Sequence, residues 1–298
     1  MFRGGMRLAA ARLRRHRWPA ASGGVLLLMI RRLLPSVRLL AMALAAFCAG
    51  PAVAADVIPH QAIYTMRLVR AGGDSGVIAA RGVMEYKWGE TCDGWTVEQN
   101  YRIVMGYADS SSEVAIASNF VTWESRDGLR YRFNQKETKN DATDEDIRGT
   151  ARLAAPGDGG IATFEMPAGK SFVLPPGTLF PSAHTMLLID RAKAGDDFIA
   201  RQVFDGTTVS GAALVSAVIG PKIEPDAAVA TKSPVLNHPG WRVRLAFFPP
   251  DPKAETPDYE LGMLLLDDGV SRDMVIDYGD YAINAKLVDI KPLAKPNC

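Results

Sequence analysis

The sequence predicts a mainly β protein built from antiparallel strands, and three observations support this fold class. Apolar and polar residues alternate with a period of two along most of residues 56–298. Turn-forming Gly and Asp residues separate the alternating runs, and one stretch carries helix start and stop signals. No Gly/Ser linker divides these residues, so we expect one domain of roughly a dozen strands. A sheet of that size curls or splits into two packed layers.

Alternating runs in the first half predict a β meander whose turns lie at 72–74, 92–94 and 127–128. One face of each strand is expected to be apolar, and the other is expected to contact water. The side chains predicted to point inward are Ala62, Tyr64, Met66 and Leu68; Gly82, Met84, Tyr86 and Trp88; Trp95, Val97, Tyr101, Ile103 and Met105; Leu129, Tyr131 and Phe133; and Ile147, Gly149 and Ala151.

The second half repeats the pattern, with a hairpin turn predicted at Asp268–Gly269. The inward side chains are Trp241, Val243, Leu245 and Phe247; Tyr259, Leu261, Met263 and Leu265; Met274, Ile276 and Tyr278; and Ile283, Ala285 and Leu287.

One helix is predicted between these two sets of strands. Pro181 suits its first turn, residues 183–194 contain few β-branched side chains, and Gly195 suits the position after its end. We expect this helix to plug or cap the curved sheet. Residues 221–240 contain four prolines and are expected to form the longest irregular connection.

The first 55 residues are expected to be a cleaved secretory signal peptide. They contain nine Arg and no Lys, Asp or Glu, and an apolar run over residues 39–49 precedes small residues up to Ala55. The apolar run is shorter than the roughly 20 residues of a membrane-spanning helix. Met29 would begin a signal peptide of ordinary length, which suggests an over-extended start. The alternative is a basic arm that binds nucleic acid or membrane.

Removal of residues 1–55 changes the charge balance of the chain. The remaining residues include 25 basic and 33 acidic side chains, a net charge of −8. Nonspecific binding to nucleic acid or anionic lipid needs basic patches, which this balance disfavours. We therefore expect no nucleic-acid partner. The signal peptide predicts a periplasmic protein with no transmembrane anchor after cleavage, and we expect a monomer.

Two cysteines, Cys92 and Cys298, remain in the mature chain. In an oxidising compartment such a pair predicts a disulfide. It would close a loop of about 207 residues and stabilise the fold by roughly 5 kcal/mol in the chain-entropy model. Two free thiols are the alternative. No metal site is predicted, because no His or Cys partner stands at ligand spacing.

The sequence contains no recognisable catalytic or cofactor motif, so we expect a non-enzymatic protein without a cofactor. The alternative is a hydrolase of envelope material with a site near His184 and Asp205, because a rigid Pro- and Gly-containing loop would present His184. His60 and His238 are expected at the surface without charge partners. The candidate functional residues of the loop and its surroundings are Pro175, Gly177, Phe180, Pro181, His184 and Asp205.

The large inward side chains suggest a second kind of site. A small barrel fills its interior with side chains, whereas a wider or open one leaves space for a lipid-like ligand. The residues alone leave both alternatives open. The candidate ligand-facing residues are Met84, Tyr86, Trp95, Tyr101, Leu245 and Phe247.

Several motifs occur in order along residues 60–281. They are IYTMRL after His60, CDGWTVEQNYR from Cys92, DIRGTA from Asp146, LPPGTLFPSAH from Leu174, VFDGTT from Val203, and DDGVSRDMVIDYGDY from Asp267. Together they resemble the EipB family of alphaproteobacterial periplasmic proteins.

The resemblance implies a β-spiral: two strongly curved antiparallel sheets forming an open cylinder similar to the lipoprotein carriers LolA and LolB. It also implies a disulfide between an early cysteine and the C-terminus, and a role in cell-envelope integrity without known catalytic activity. A lipid, a lipoprotein or a periplasmic envelope protein is the partner expected on this basis, although a shared fold does not establish a ligand.

Overall fold

A computed structural model describes residues 57–298 apart from 74, 110–111, 231–232 and 252. The predicted signal peptide therefore lies outside the described residues. Fourteen antiparallel strands form one continuous sheet. The strands of the first half are β1 His60–Ala71, β2 Val77–Thr91, β3 Gly94–Tyr107, β4 Val114–Ser125, β5 Arg130–Lys139, β6 Ala142–Leu153, β7 Gly160–Met166 and β8 Lys170–Leu174. Those of the second half are β9 Phe198–Val203, β10 Ala213–Ile223, β11 Gly240–Phe248, β12 Tyr259–Leu266, β13 Ser271–Asp277 and β14 Tyr281–Pro292.

The strand order runs from β8 down to β1, then to β14, and from β14 down to β9. All strand pairs therefore join sequence neighbours, except the pair of β1 with β14. These two strands pair from His60 opposite Pro292 to Ala71 opposite Tyr281. This pairing merges the two halves, so the expectation of two sheets is wrong and a single sheet takes their place. The edge strands are β8 and β9, and Leu179 forms a short parallel bridge with Val203 on the outer side of β9.

The sheet curls so strongly that strands far apart in its order touch. Phe204, which follows β9, packs against Phe133 of β5 with ring centroids 5.5 Å apart. These strands are separated by ten steps in the sheet, about 48 Å if the sheet were flat. The mainly β, spiral-like architecture expected from the sequence is thus confirmed, with an open rather than closed cylinder.

The predicted helix is present as α1, Pro181–Ala194, and it packs on the concave side of the sheet. Pro181 is its first residue, and Gly195 ends it in the left-handed conformation (φ +88°) with its N–H bonded to the Ala192 carbonyl. Leu188 and Ile189 are almost fully buried against β9–β12. Burial of such a side chain stabilises the fold by about 2 kcal/mol.

The connection over residues 221–240 is less irregular than expected, because two short helices interrupt it. These are α2, Ala227–Ala230, and a 3₁₀ turn, Pro234–Leu236. Val235 and Leu236 are buried in the same core cluster as the β1 and β14 side chains. The connection is therefore anchored to the body at its second half.

Two histidines expected at the surface have different environments in the structure. His60 is completely buried, and its Nδ1 lies 2.7 Å from the Ile58 carbonyl oxygen. His238 is partly buried, with its Nδ1 2.8 Å from an Asp267 carboxylate oxygen. Both expectations were wrong. His60 is buried by the fold, with the Tyr86 ring of β2 5.9 Å away, and the partner of His238 lies 29 residues further along the chain in the β12–β13 turn.

The structure joins Cys92 and Cys298 in a disulfide. Their Cα atoms are 5.7 Å apart across a sequence separation of 206. Cys92 lies in the turn between β2 and β3, and Cys298 is the last residue of the chain. The bond therefore fastens the segment after β14 to the opposite side of β1.

Candidate functional site

The concave face of the sheet carries a continuous row of aromatic rings, which we call the aromatic belt: Phe247, Tyr259, Tyr278 and Tyr281. Phe247 and Tyr259 are stacked with centroids 4.4 Å apart. Tyr259 and Tyr278 follow at 6.1 Å, and Tyr278 and Tyr281 at 5.0 Å. The belt crosses the ends of β11 to β14, so four different strands or their flanking turns position it.

The belt is only partly buried, unlike the core cluster around β1 and β14 and the core cluster around α1. Tyr278 is 44% exposed, and the other three rings are of intermediate burial. A cavity of about 80 Å³ lies beside Phe247 and Tyr259 and is also lined by Asp205. The structure therefore presents accessible aromatic surface toward the concave side.

A carboxylate from the facing wall reaches the belt. Glu137 of β5 accepts a hydrogen bond of 2.9 Å from the Tyr101 hydroxyl. Burial raises the pKa of Tyr278 to about 12, with smaller contributions from Tyr281 and Glu137. Since β5 and β13 are six steps apart in the sheet, this proximity again results from the curl. All of these tyrosines are neutral hydrogen-bonding groups at ordinary pH.

Asp205 belongs to the belt side of the molecule and not to a site with His184. One of its carboxylate oxygens accepts hydrogen bonds from the Thr207 backbone N–H and hydroxyl, at 3.0 and 2.9 Å. Burial raises the pKa of Asp205 above its usual range. Its carboxylate also raises the pKa of Tyr259, after the larger effect of burial. No hydrogen bond within the described part of the chain joins Asp205 to His184.

His184 is a buried residue of the first turn of α1. Its backbone N–H donates to the Phe180 carbonyl at 2.9 Å, while its Nε2 has no hydrogen-bond partner within the described residues. Burial lowers the pKa of the ring to about 4, with a further contribution from Arg201. The imidazole is therefore neutral over the physiological range.

The other candidate residues of the loop before α1 shape and anchor the backbone. Gly177 adopts a positive φ of +79°, and its N–H donates to the Gly157 carbonyl at 2.9 Å. Phe180 is fully buried and stacks on Tyr131 at 4.9 Å. Pro175 accepts a hydrogen bond from the Thr178 hydroxyl, and Pro181 begins the helix. Their contacts give this loop a structural role.

The six predicted ligand-facing residues all lie on inward rows but differ in burial. Met84, Trp95 and Leu245 are less than a tenth exposed and belong to packed clusters. Tyr86, Tyr101 and Phe247 are of intermediate burial by accessible surface. Sequence reasoning placed Tyr259 and Tyr278 on inward faces but did not single them out, and it missed Glu137 because its partners are distant in the chain.

Glu124 is a buried carboxylate that the sequence did not reveal as special. It is 2% exposed and accepts hydrogen bonds from the backbone N–H groups of Ser182 and Ala183, at 2.8 and 2.9 Å. These groups are the free donors at the N-terminus of α1, so Glu124 caps a helix 58 residues away in sequence. Burial raises its pKa to about 7, against the opposing effect of these bonds.

The raised pKa predicts a stability change with pH. Its ordinary value is 4.5, so between that value and about 7 the folded protein binds this proton more tightly than the unfolded chain does. The stabilisation is present below pH 4.5 and is lost as the pH rises through 7. Glu124→Gln resembles the protonated acid and cannot ionise. Between about pH 5 and pH 8, the free energy of unfolding of the wild type should therefore fall by about 2 kcal/mol more than that of Glu124→Gln.

Urea unfolding at a series of pH values measures this difference. Glu98→Gln is the matched control, because Glu98 is an outer-face carboxylate 44% exposed. It should keep the pH profile of the wild type. Parallel profiles for wild type and Glu124→Gln would contradict the assignment.

Within the described residues, no helix is both long and apolar enough to cross a membrane.

A second cavity, about 660 Å³ in volume, lies at the C-terminal end of α1 and is lined by residues that include Lys193, Lys222, Asp267 and Trp241. It contains none of the candidate residues predicted from the sequence.

Comparison with known proteins identifies relatives along most of the chain. The model of the EipB-like family matches residues 51–294. The cell envelope integrity protein EipB of Brucella abortus (strain 2308) is 30% identical over 250 residues, covering 81% of this chain and 86% of that protein. A crystal structure of a beta-barrel-like protein of a domain of unknown function from Brucella abortus superposes with a TM-score of 0.74 at 28% identity, covering 81% of this chain and all of that one. The resemblance drawn from the motifs is confirmed: the chain belongs to the EipB-like family.

Proposed function

We propose that this protein supports cell-envelope integrity from the periplasm by binding an acyl chain of an envelope lipid or lipoprotein against the aromatic belt. The role in envelope integrity is inferred from the relative in Brucella abortus, a cell envelope integrity protein. The periplasmic location rests on that relationship and on the predicted signal peptide. The ligand class rests on the concave face alone.

The half-buried belt is the observation that carries the ligand proposal. Phe247 stacks on Tyr259, and Tyr278 lies beside Tyr259, on the inner side of an open cylinder where neighbouring inward side chains are buried. Aromatic rings gain about 25 cal/mol for each Å² removed from water, and an apolar chain lying across the belt would supply that gain. Glu137 and Tyr101 on the facing wall offer hydrogen bonds to a polar end of the same ligand.

Binding is favoured over catalysis by the arrangement of the candidate catalytic residues. The hydrolase alternative requires His184 and Asp205 to cooperate. Asp205 bonds instead to Thr207, and the His184 ring is buried at the start of α1. We therefore expect His184→Ala to leave envelope robustness intact, provided that the variant folds.

A paired substitution tests the ligand proposal. Phe247→Glu places a charge on the concave belt, whereas Phe198→Glu makes the same change at a residue of β9 that is 56% exposed on the outer face. The wild type should bind a fluorescent fatty acid or a diacylated peptide. Phe247→Glu should weaken this binding on the order of tenfold or more, because a charge must then be desolvated by the chain, and Phe198→Glu should not.

Both variants are also compared with the wild type for melting temperature and for rescue of detergent resistance in a strain lacking the gene. Loss of acyl-probe binding and of rescue by Phe247→Glu alone, with folding retained, supports the proposal. If the wild-type protein binds neither probe, or if both variants bind like the wild type, the proposal is wrong.

A further inference from the structure

The outer face of β5 and β6 carries four exposed arginines, which we call the arginine face: Arg130, Arg132, Arg148 and Arg152. Arg130 stands directly opposite Arg152 in the strand pairing, and Arg148 stands opposite Asn134. All four are exposed. Like charges directly opposite each other on one face of a sheet destabilise it. The structure nevertheless places Arg130 and Arg152 opposite each other, at a cost in stability.

Carboxylates of the described residues neutralise this face only in part. Arg148 lies 3.8 Å from Asp146, and Arg130 contributes to lowering the pKa values of Asp93 and Asp127. Neither Arg132 nor Arg152 has a described carboxylate oxygen within 4 Å. Three other arginines of the outer face are paired: Arg81 forms two hydrogen bonds with Glu113, at 2.6 and 2.7 Å, and Arg70 and Arg244 pair with Asp277 and Glu260.

Apolar and aromatic side chains border the arginine face. Trp123 lies beneath two of the guanidinium groups, with the Arg132 carbon 4.4 Å and the Arg130 carbon 5.4 Å from its ring centroid. In the next strands, Ile161 stands opposite Arg152, and Val173 stands opposite Ile161. Ile161 is 49% exposed and Val173 82% exposed, at the free edge formed by β8.

We propose that the arginine face and the apolar edge beside it form a docking surface for the anionic phospholipid surface of a membrane. Guanidinium groups bind phosphate oxygens through paired hydrogen bonds, and Trp is favoured at the depth of lipid headgroups. Ile161 and Val173 lie where they would enter the layer below the phosphates. The combination of unpaired Arg, Trp and exposed aliphatic residues on one face matches the chemistry of that interface.

The acidic balance of the whole chain is compatible with this docking because the charge is unevenly distributed. Residues 56–298 carry a net charge of −8, which disfavours adsorption in arbitrary orientations. At physiological ionic strength, charges more than about 8 Å apart are largely screened. A membrane would therefore sense the local arginines, and the protein would bind it in one orientation with its free β8 edge toward the lipid.

Vesicle flotation with the purified protein tests the proposal. Vesicles of phosphatidylcholine with phosphatidylglycerol should bind the wild type, and the binding should weaken with salt; vesicles of phosphatidylcholine alone should not. The double variant Arg132→Ser/Arg152→Ser should bind on the order of tenfold more weakly, since each basic residue near an anionic surface contributes to binding. Val173→Ser should weaken binding by several-fold through the loss of apolar contact.

The matched control is Arg67→Ser/Arg242→Ser, which removes the same charge from outer-face residues of β1 and β11. It should bind anionic vesicles like the wild type, and circular dichroism and melting should show all variants folded. Equal binding of the wild type to both kinds of vesicle overturns the proposal, as does an equal loss of binding in the control. The proposal is also overturned if the arginine face binds an acidic protein and does not bind lipid vesicles.

Discussion

Cys298→Ser should lower the free energy of unfolding of the oxidised protein by about 5 kcal/mol in the chain-entropy model, because the disulfide closes a loop of more than 200 residues. The bond joins the β2–β3 turn to the residue that ends the chain. Without it, the unfolded chain regains its freedom, and the residues after β14 lose their covalent attachment. Guanidinium unfolding in the absence of reductant measures the loss.

Reduction of the wild type is the control for this effect. In dithiothreitol the wild type and Cys298→Ser should have similar stability, and Cys92→Ser should match Cys298→Ser under both conditions, since either substitution removes the same bond. Equal unfolding midpoints of the oxidised wild type and Cys298→Ser would show that the two thiols are not joined in the protein.

Gly206→Ala should destabilise the protein by about 3 kcal/mol, because two separate costs add at this position. Gly206 has a φ of +72°, a conformation that residues with a Cβ atom rarely adopt. A Cβ atom would also lie 2.5 Å from the Phe133 ring. That ring is held in the aromatic core by Phe164 and Phe204, with centroids 5.2 and 5.5 Å away, and cannot move aside without disturbing both.

Gly195→Ala separates the two costs. Gly195 also has a positive φ, +88°, but a Cβ there would meet no atom within 4 Å. Its replacement should cost about 1 kcal/mol, the conformational part alone. Comparison of the two variants by urea unfolding thus isolates the collision with Phe133. Equal losses at the two positions would mean that the core yields around the added methyl group.

The local elements of this fold could be predicted because short-range patterns determine them. Period-two alternation placed side chains such as Tyr64, Phe133 and Leu245 on inward faces, and all three are buried. Pro181 and Gly195 marked both ends of α1. Each of these signals depends on residues a few positions apart, and the physical rule acts over the same distance.

The site could be predicted only in part because curvature brings its members together. Tyr101 and Phe247 were chosen from alternation, but no pattern pairs Glu137 with Tyr101 or Glu124 with the start of α1. The hydrolase alternative placed Asp205 and His184 near one site, whereas the structure places Asp205 beside Tyr259. Alternation states which face a residue occupies, but it does not specify how far the sheet bends.

The pairing of β1 with β14 has a consequence for the order in which the protein can assemble. All other strand pairs join sequence neighbours and can form as hairpins while the chain emerges. One side of β1 lacks its partner until the last strand has been synthesised, and during that time it is an open strand edge of the kind that promotes aggregation. A chain that folds as it emerges must therefore be kept from self-association until β14 is available to pair with β1. The bond of Cys92 with Cys298 involves a residue that follows β14, so it can form only after β14 is available.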